Sequence, residues 1–119
     1  MSMGVAVTEQ LERAISFKIE GNYEEATREL KEILATYPDE PKAHHQLGLV
    51  LGFIGEFDDS LAELQTSVNL DGDNIVARND LALTFAMLGM EDEAKVGFET
   101  VLVMDPGNEV ARKNLSFFA

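Results

Sequence analysis

His44 and His45 are the only imidazoles in the chain, and they stand side by side. Adjacent helical residues point about 100° apart, so this pair cannot chelate one metal as an i, i+4 pair does. Cysteine is absent, which removes thiolate nucleophiles, disulfides and thiolate metal sites together. A hydroxyl nucleophile needs a base within hydrogen-bond reach, and two adjacent histidines are a poor supply of one. The carboxylates gather as Asp58-Asp59 and Glu91-Asp92-Glu93, neither of which has the alternating spacing of a calcium loop. Asp71-Gly72-Asp73-Asn74 comes nearest, but Ile75 interrupts it and the string reads as a turn. Met3-Gly4-Val5-Ala6-Val7-Thr8 matches an acylation string only if translation begins at Met3, because Gly4 is not the second residue. This inventory predicts no catalytic residue, no cofactor and no metal, and argues against an enzyme.

Whatever the chain does therefore rests on surfaces, and composition limits which. Twenty-two Asp and Glu against nine Lys and Arg give a formal charge of −13 over 119 residues. A field of that sign repels phosphates and anionic bilayers, so neither nucleic acid nor membrane is expected as a partner. The 45% apolar content suffices for one folded domain with a core of its own. No apolar run approaches the ~18 residues of a membrane span, and the amino terminus lacks the basic start and apolar stretch of a signal peptide. A cytoplasmic setting is the expectation.

Three strings align: Gly21-Asn22-Tyr23-Glu24-Glu25-Ala26, Gly55-Glu56-Phe57-Asp58-Asp59-Ser60 and Gly89-Met90-Glu91-Asp92-Glu93-Ala94. Their glycines are 34 residues apart, twice, without insertion. The frame gives units 7–40, 41–74 and 75–108, preceded by an unstructured segment, 1–6, and followed by a capping or partial-repeat helix, 109–119. The eighth residue of each unit is small (Ala14, Gly48, Ala82) and the eleventh bulky (Phe17, Leu51, Phe85). The twentieth is small again (Ala26, Ser60, Ala94) and the twenty-fourth large (Leu30, Leu64, Phe98).

Each unit reads as two helices. Leu47, Val50, Leu51 and Ile54 recur at helical spacing, as do Leu61, Leu64 and Val68. The three repeat glycines stand where the first helix stops and a left-handed residue is needed. Acidic residues after each glycine fall in the first turn of the second helix, where the helix dipole favours them. Pro38, Gly72 and Pro106 close the units, with Asp39, Asn74 and Asn108 as expected caps of the following helix. Phe17, Phe57, Phe85 and Phe98 are expected in the core, and His44 between neighbouring units.

The 34-residue period, the small eighth residue, Gly-x-[Tyr/Phe]-x-x-Ala and the closing Asp105-Pro106 resemble the tetratricopeptide repeat over residues 7 to 108. Departures are local. Gln10, His44 and Arg78 stand where the repeat usually has an aromatic, Glu91 replaces the tyrosine after the third glycine, and Gly72 replaces a proline. The resemblance implies an all-α, right-handed superhelical solenoid of about seven helices. Its first helices would line a concave groove that binds peptides and seldom catalyses anything.

The resemblance also implies which residues face that groove. An apolar stripe of Leu11, Ile15, Ile19, Leu49, Phe53, Leu83 and Met87 crosses three helices, with Lys42, His45, Gln46, Asn79 and Asp80 as its polar companions. Family members that hold the acidic carboxyl-terminus of a heat-shock chaperone do so with a clamp of Lys, Asn and further basic residues. The matching positions carry Leu11, Ile15, Gln46, Val76 and Asp80 here, and only Gln46 could replace an amide. Charge-assisted hydrogen bonds are worth about 1.5–3 kcal/mol each, so four lost contacts rival the whole of a micromolar affinity, about 8 kcal/mol. The expected partner is instead an apolar or amphipathic peptide, preferably a helix with anchors at i, i+3 and i+7, its acidic flank met by Lys42 and His45. A scaffold that self-associates is the alternative: Leu115, Phe117 and Phe118 make the tail too apolar for a solvating cap, and a homo-oligomer could form through them or through the groove.

Overall fold

The computed structural model describes residues 4–118. Seven α-helices and a final 3-10 turn, and no strand, occur among the described residues. They are α1 (Val5–Ile19), α2 (Tyr23–Thr36), α3 (Pro41–Phe53), α4 (Phe57–Leu70), α5 (Ile75–Met87), α6 (Glu91–Met104) and α7 (Glu109–Leu115), followed by Ser116–Phe118. Each helix packs on the next in the chain, and α3 also touches both α1 and α5, so α1, α3 and α5 form one layer of an elongated solid measuring 45 × 30 × 21 Å.

The turns have one chemistry. Gly21, Gly55 and Gly89 have φ of 82°, 85° and 77°, the left-handed region that a side chain would strain. The amides that follow reach back five residues: Asn22 N–H donates to Phe17 O at 2.8 Å, Glu56 to Leu51 at 2.9 Å and Met90 to Phe85 at 2.9 Å. These bonds satisfy carbonyls that the helix ends would leave bare. The first turns of α2, α4 and α6 hold the acidic residues that the dipole favours.

Two local expectations are corrected. Val5 and Ala6 belong to α1, so the unstructured 1–6 segment does not extend that far, while its residues 1–3 lie outside the described residues. Asn74 and Asn108 cap α5 and α7 through their side-chain oxygens, but α3 is capped by Glu40 rather than Asp39. Pro41, the first helical residue, restricts its neighbour Glu40 to the extended conformation that a cap requires.

The core is segmented as the units are. Leu11, Leu30, Ile33, Leu47 and Val50 form one cluster; Leu64, Val68, Ala77 and Leu81 the next; Phe98, Val101, Ala82 and Ala111 the last. Of the four expected core phenylalanines, Phe98 is fully buried and Phe17, Phe57 and Phe85 are half-buried. α3 and α4 meet at Gly48: a methyl there would stand 2.8 Å from Leu64 Cγ, and Ser60 Oγ donates to Gly48 O at 2.6 Å. His44 joins neighbouring units: Nδ1 lies 2.6 Å from Glu63 Oε2 on α4 of its own unit, and Nε2 lies 2.6 Å from the carbonyl oxygen of Pro38, which closes the unit before.

Candidate functional site

The thirteenth residues of the three units, Ile19, Phe53 and Met87, end helices of the same layer. They are 77%, 60% and 66% exposed. Large apolar side chains at one position of three successive units thus make a ladder open to solvent. The ninth residues, Ile15, Leu49 and Leu83, lie half-buried behind it, with Ile15 and Leu83 packed against the first and last core clusters. Phe53 is held by a stacked contact with Tyr23, at 5.7 Å between ring centres and 30° between planes. Tyr23 was not foreseen as part of this surface; its place two residues after the turn glycine was the available signal.

Beneath the ladder runs a polar line that joins the units. Lys18 Nζ donates to Gln46 Oε1 at 2.6 Å, linking α1 to α3. His45 Nε2–H donates to Asp80 Oδ2 at 2.7 Å, linking α3 to α5. Asn79 Nδ2 donates to Asn108 Oδ1 at 3.1 Å, linking α5 to the cap of α7. Burial pulls the Lys18 ammonium below the ordinary lysine range, and the negative charge of Asp80 partly restores it. Asn79 Oδ1 is buried without a partner among the described residues.

Between α3 and α5 the ladder opens into a pocket of about 290 Å³. Gly48 and Gly52 leave it room, Phe53, Leu83 and Met87 wall it, and Asp80 is the charged residue that lines it.

The twelve candidate groove residues therefore divide. Ile19, Phe53 and Met87 are open, Leu49, Leu83 and Asp80 border the pocket, and Ile15 and Gln46 are half-buried beside them. Lys42 is exposed. Leu11, His45 and Asn79 are buried, at 6%, 7% and 6% exposure. His45 is consumed by Asp80 and so does not offer itself to an acidic flank, which corrects that expectation. At the tail, Leu115 and Phe118 pack against the last core cluster, whereas Phe117 is 73% exposed. No group of three or more His, Asp or Glu converges as a metal site among the described residues, and no described helix is long and apolar enough to cross a membrane.

No protein-family model matches the chain, and no curated protein matches it by sequence. Solved structures do match. The second TPR domain of human RPAP3, in complex with the HSP70 peptide SGPTIEEVD, superimposes with a TM-score of 0.83 at 27% identity, over 91% of this chain and 90% of that one. The first TPR of Spaghetti (RPAP3), bound to the HSP90 peptide SRMEEVD, gives 0.87 at 20% identity, over 93% and 88%. A Thermobaculum terrenum O-GlcNAc transferase gives 0.85 at 22% identity over 97% of this chain, which corresponds to only 22% of that enzyme.

Proposed function

We propose that this chain, whose fold is that of a tetratricopeptide-repeat domain, is a non-enzymatic protein-interaction module that holds an apolar or amphipathic segment across its concave groove. The observation that carries the reading is the exposed ladder of Ile19, Phe53 and Met87. Two structural neighbours hold peptides ending in Glu-Glu-Val-Asp. A different ligand is expected here, because the clamp positions carry Leu11, Ile15, Gln46, Val76 and Asp80. Leu11 lies in the core, the Gln46 oxygen is taken by Lys18, and Asp80 repels a carboxylate.

The ladder also sets the spacing of the ligand. Packed helices lie about 8–10 Å apart, so successive anchors are separated by about that distance. A helix rises 1.5 Å per residue, which places matching side chains about one heptad apart, at i, i+7 and i+14. An i, i+3, i+7 pattern spans only about 10 Å, enough to join two units but not three.

Selection of a randomised 21-residue peptide library on the immobilised protein tests this reading. Counter-selection uses the Phe53→Ser/Met87→Ser double variant, checked for helicity by circular dichroism. Burying each side chain contributes about 1.5–3 kcal/mol gross, so selected peptides should lose at least about tenfold in affinity on the double variant. A pool that is not enriched over the double variant refutes groove binding.

A further inference from the structure

We infer that the segment held in this groove carries a lysine or arginine between two of its apolar anchors, seated in the pocket between α3 and α5 with its cation at Asp80. This rests on the groove reading above and adds the chemistry of the ligand.

The pocket is amphipathic in a way that suits a long cationic side chain. Its walls, Phe53, Leu83 and Met87, are apolar, and the side chains missing at Gly48 and Gly52 give it depth. Asp80 brings the charge. An apolar anchor alone would bury that carboxylate against carbon, at a desolvation cost. A lysine or arginine instead lays its aliphatic stem along the walls and presents its charge to the acid.

Asp80 has capacity for this contact. His45 uses Oδ2, while Oδ1 takes no hydrogen bond and is not sealed from solvent among the described residues. The side chain retains 24% of its surface. At the rim, Phe53 stacks on Tyr23, and aromatic faces attract a passing cation. The long-range field agrees in sign: a chain of −13 draws a cationic segment and repels an acidic one.

The peptide pool selected above, read by sequence, supplies the test. Lysine or arginine should be enriched at one fixed position between apolar residues a heptad apart. Fluorescence anisotropy of one selected peptide should show about a tenfold loss on the Asp80→Asn variant, which keeps an acceptor for His45, and the loss should shrink at high salt. On the wild-type protein, which needs no variant to fold, exchanging the peptide's basic residue for glutamate should cost at least about tenfold. A pool with acidic or uncharged residues at that position, or equal affinity for the lysine and glutamate peptides, overturns this inference and leaves groove binding standing. A pool not enriched over the Phe53→Ser/Met87→Ser variant overturns both.

Discussion

Replacing Gly48 by alanine sets two effects of similar size against each other, and the geometry decides between them. Alanine in a helix interior is favoured over glycine by about 0.8–1 kcal/mol. The new methyl, however, would stand 2.8 and 2.9 Å from Leu64 Cγ and Cδ2 and 3.3 Å from the Leu64 backbone nitrogen. Leu64 is 1% exposed and its Cγ is held close to the α4 backbone, so relief requires Leu64 to leave its rotamer or α3 to move away from α4. Such overpacking costs about 1–3 kcal/mol, which leaves a net loss of about 1 kcal/mol and a fall in Tm of about 3–5 °C. Gly52→Ala is the internal control, on the same helix one turn later. Its methyl meets only Ser60 Oγ at 3.3 Å, so the two effects nearly cancel and Tm should stay within about 2 °C of wild type. It should nevertheless weaken peptide binding, because the methyl occupies the pocket. Thermal and urea unfolding followed by circular dichroism measure both variants. A Gly48→Ala protein as stable as wild type would refute the argument, since the α3–α4 distance would then not be set by that contact.

Asn108→Ala removes the cap of α7 and strands the Asn79 amide, whose oxygen has no partner among the described residues; we expect a loss of about 2–4 kcal/mol and faster amide exchange in α7, measured by urea unfolding and hydrogen exchange. Lys18 holds its proton less tightly folded than unfolded, chiefly through burial, so the folded state binds fewer protons as the pH nears the ordinary value of 10.5. The stability of wild type relative to Lys18→Met should therefore rise with pH as it approaches 10.5 from below, and a difference independent of pH would exclude a buried charge as the cause. Because Leu115 and Phe118 pack inside, Phe117 offers the tail little area for a dimer, and light scattering of wild type and of Phe117→Ser should return the same mass at every concentration. A mass that climbs with salt and reverts in Phe117→Ser would instead establish the self-associating scaffold.

The sequence by itself determined the helices, their turns and their pairing. These depend on local chemistry repeated three times: a left-handed glycine, acids behind it, and small residues opposite large ones every 34 positions. Tertiary structure decided what each groove position is used for. Leu11, Ile15 and Ile19 are alike in sequence, yet one lies in the core, one is half-buried and one stands in solvent. Exposure depends on how far each residue sits along the edge between neighbouring units, which periodicity does not record. The polar residues illustrate the point more sharply. His45 and Gln46 read as free hydrogen-bonding groups until α1 and α5 close on α3, and then Asp80 and Lys18 claim them across separations of 35 and 28 residues. Those partners become neighbours only when the solenoid winds. The pocket at Asp80, a product of that winding and of two glycines on α3, therefore had no local signature to read.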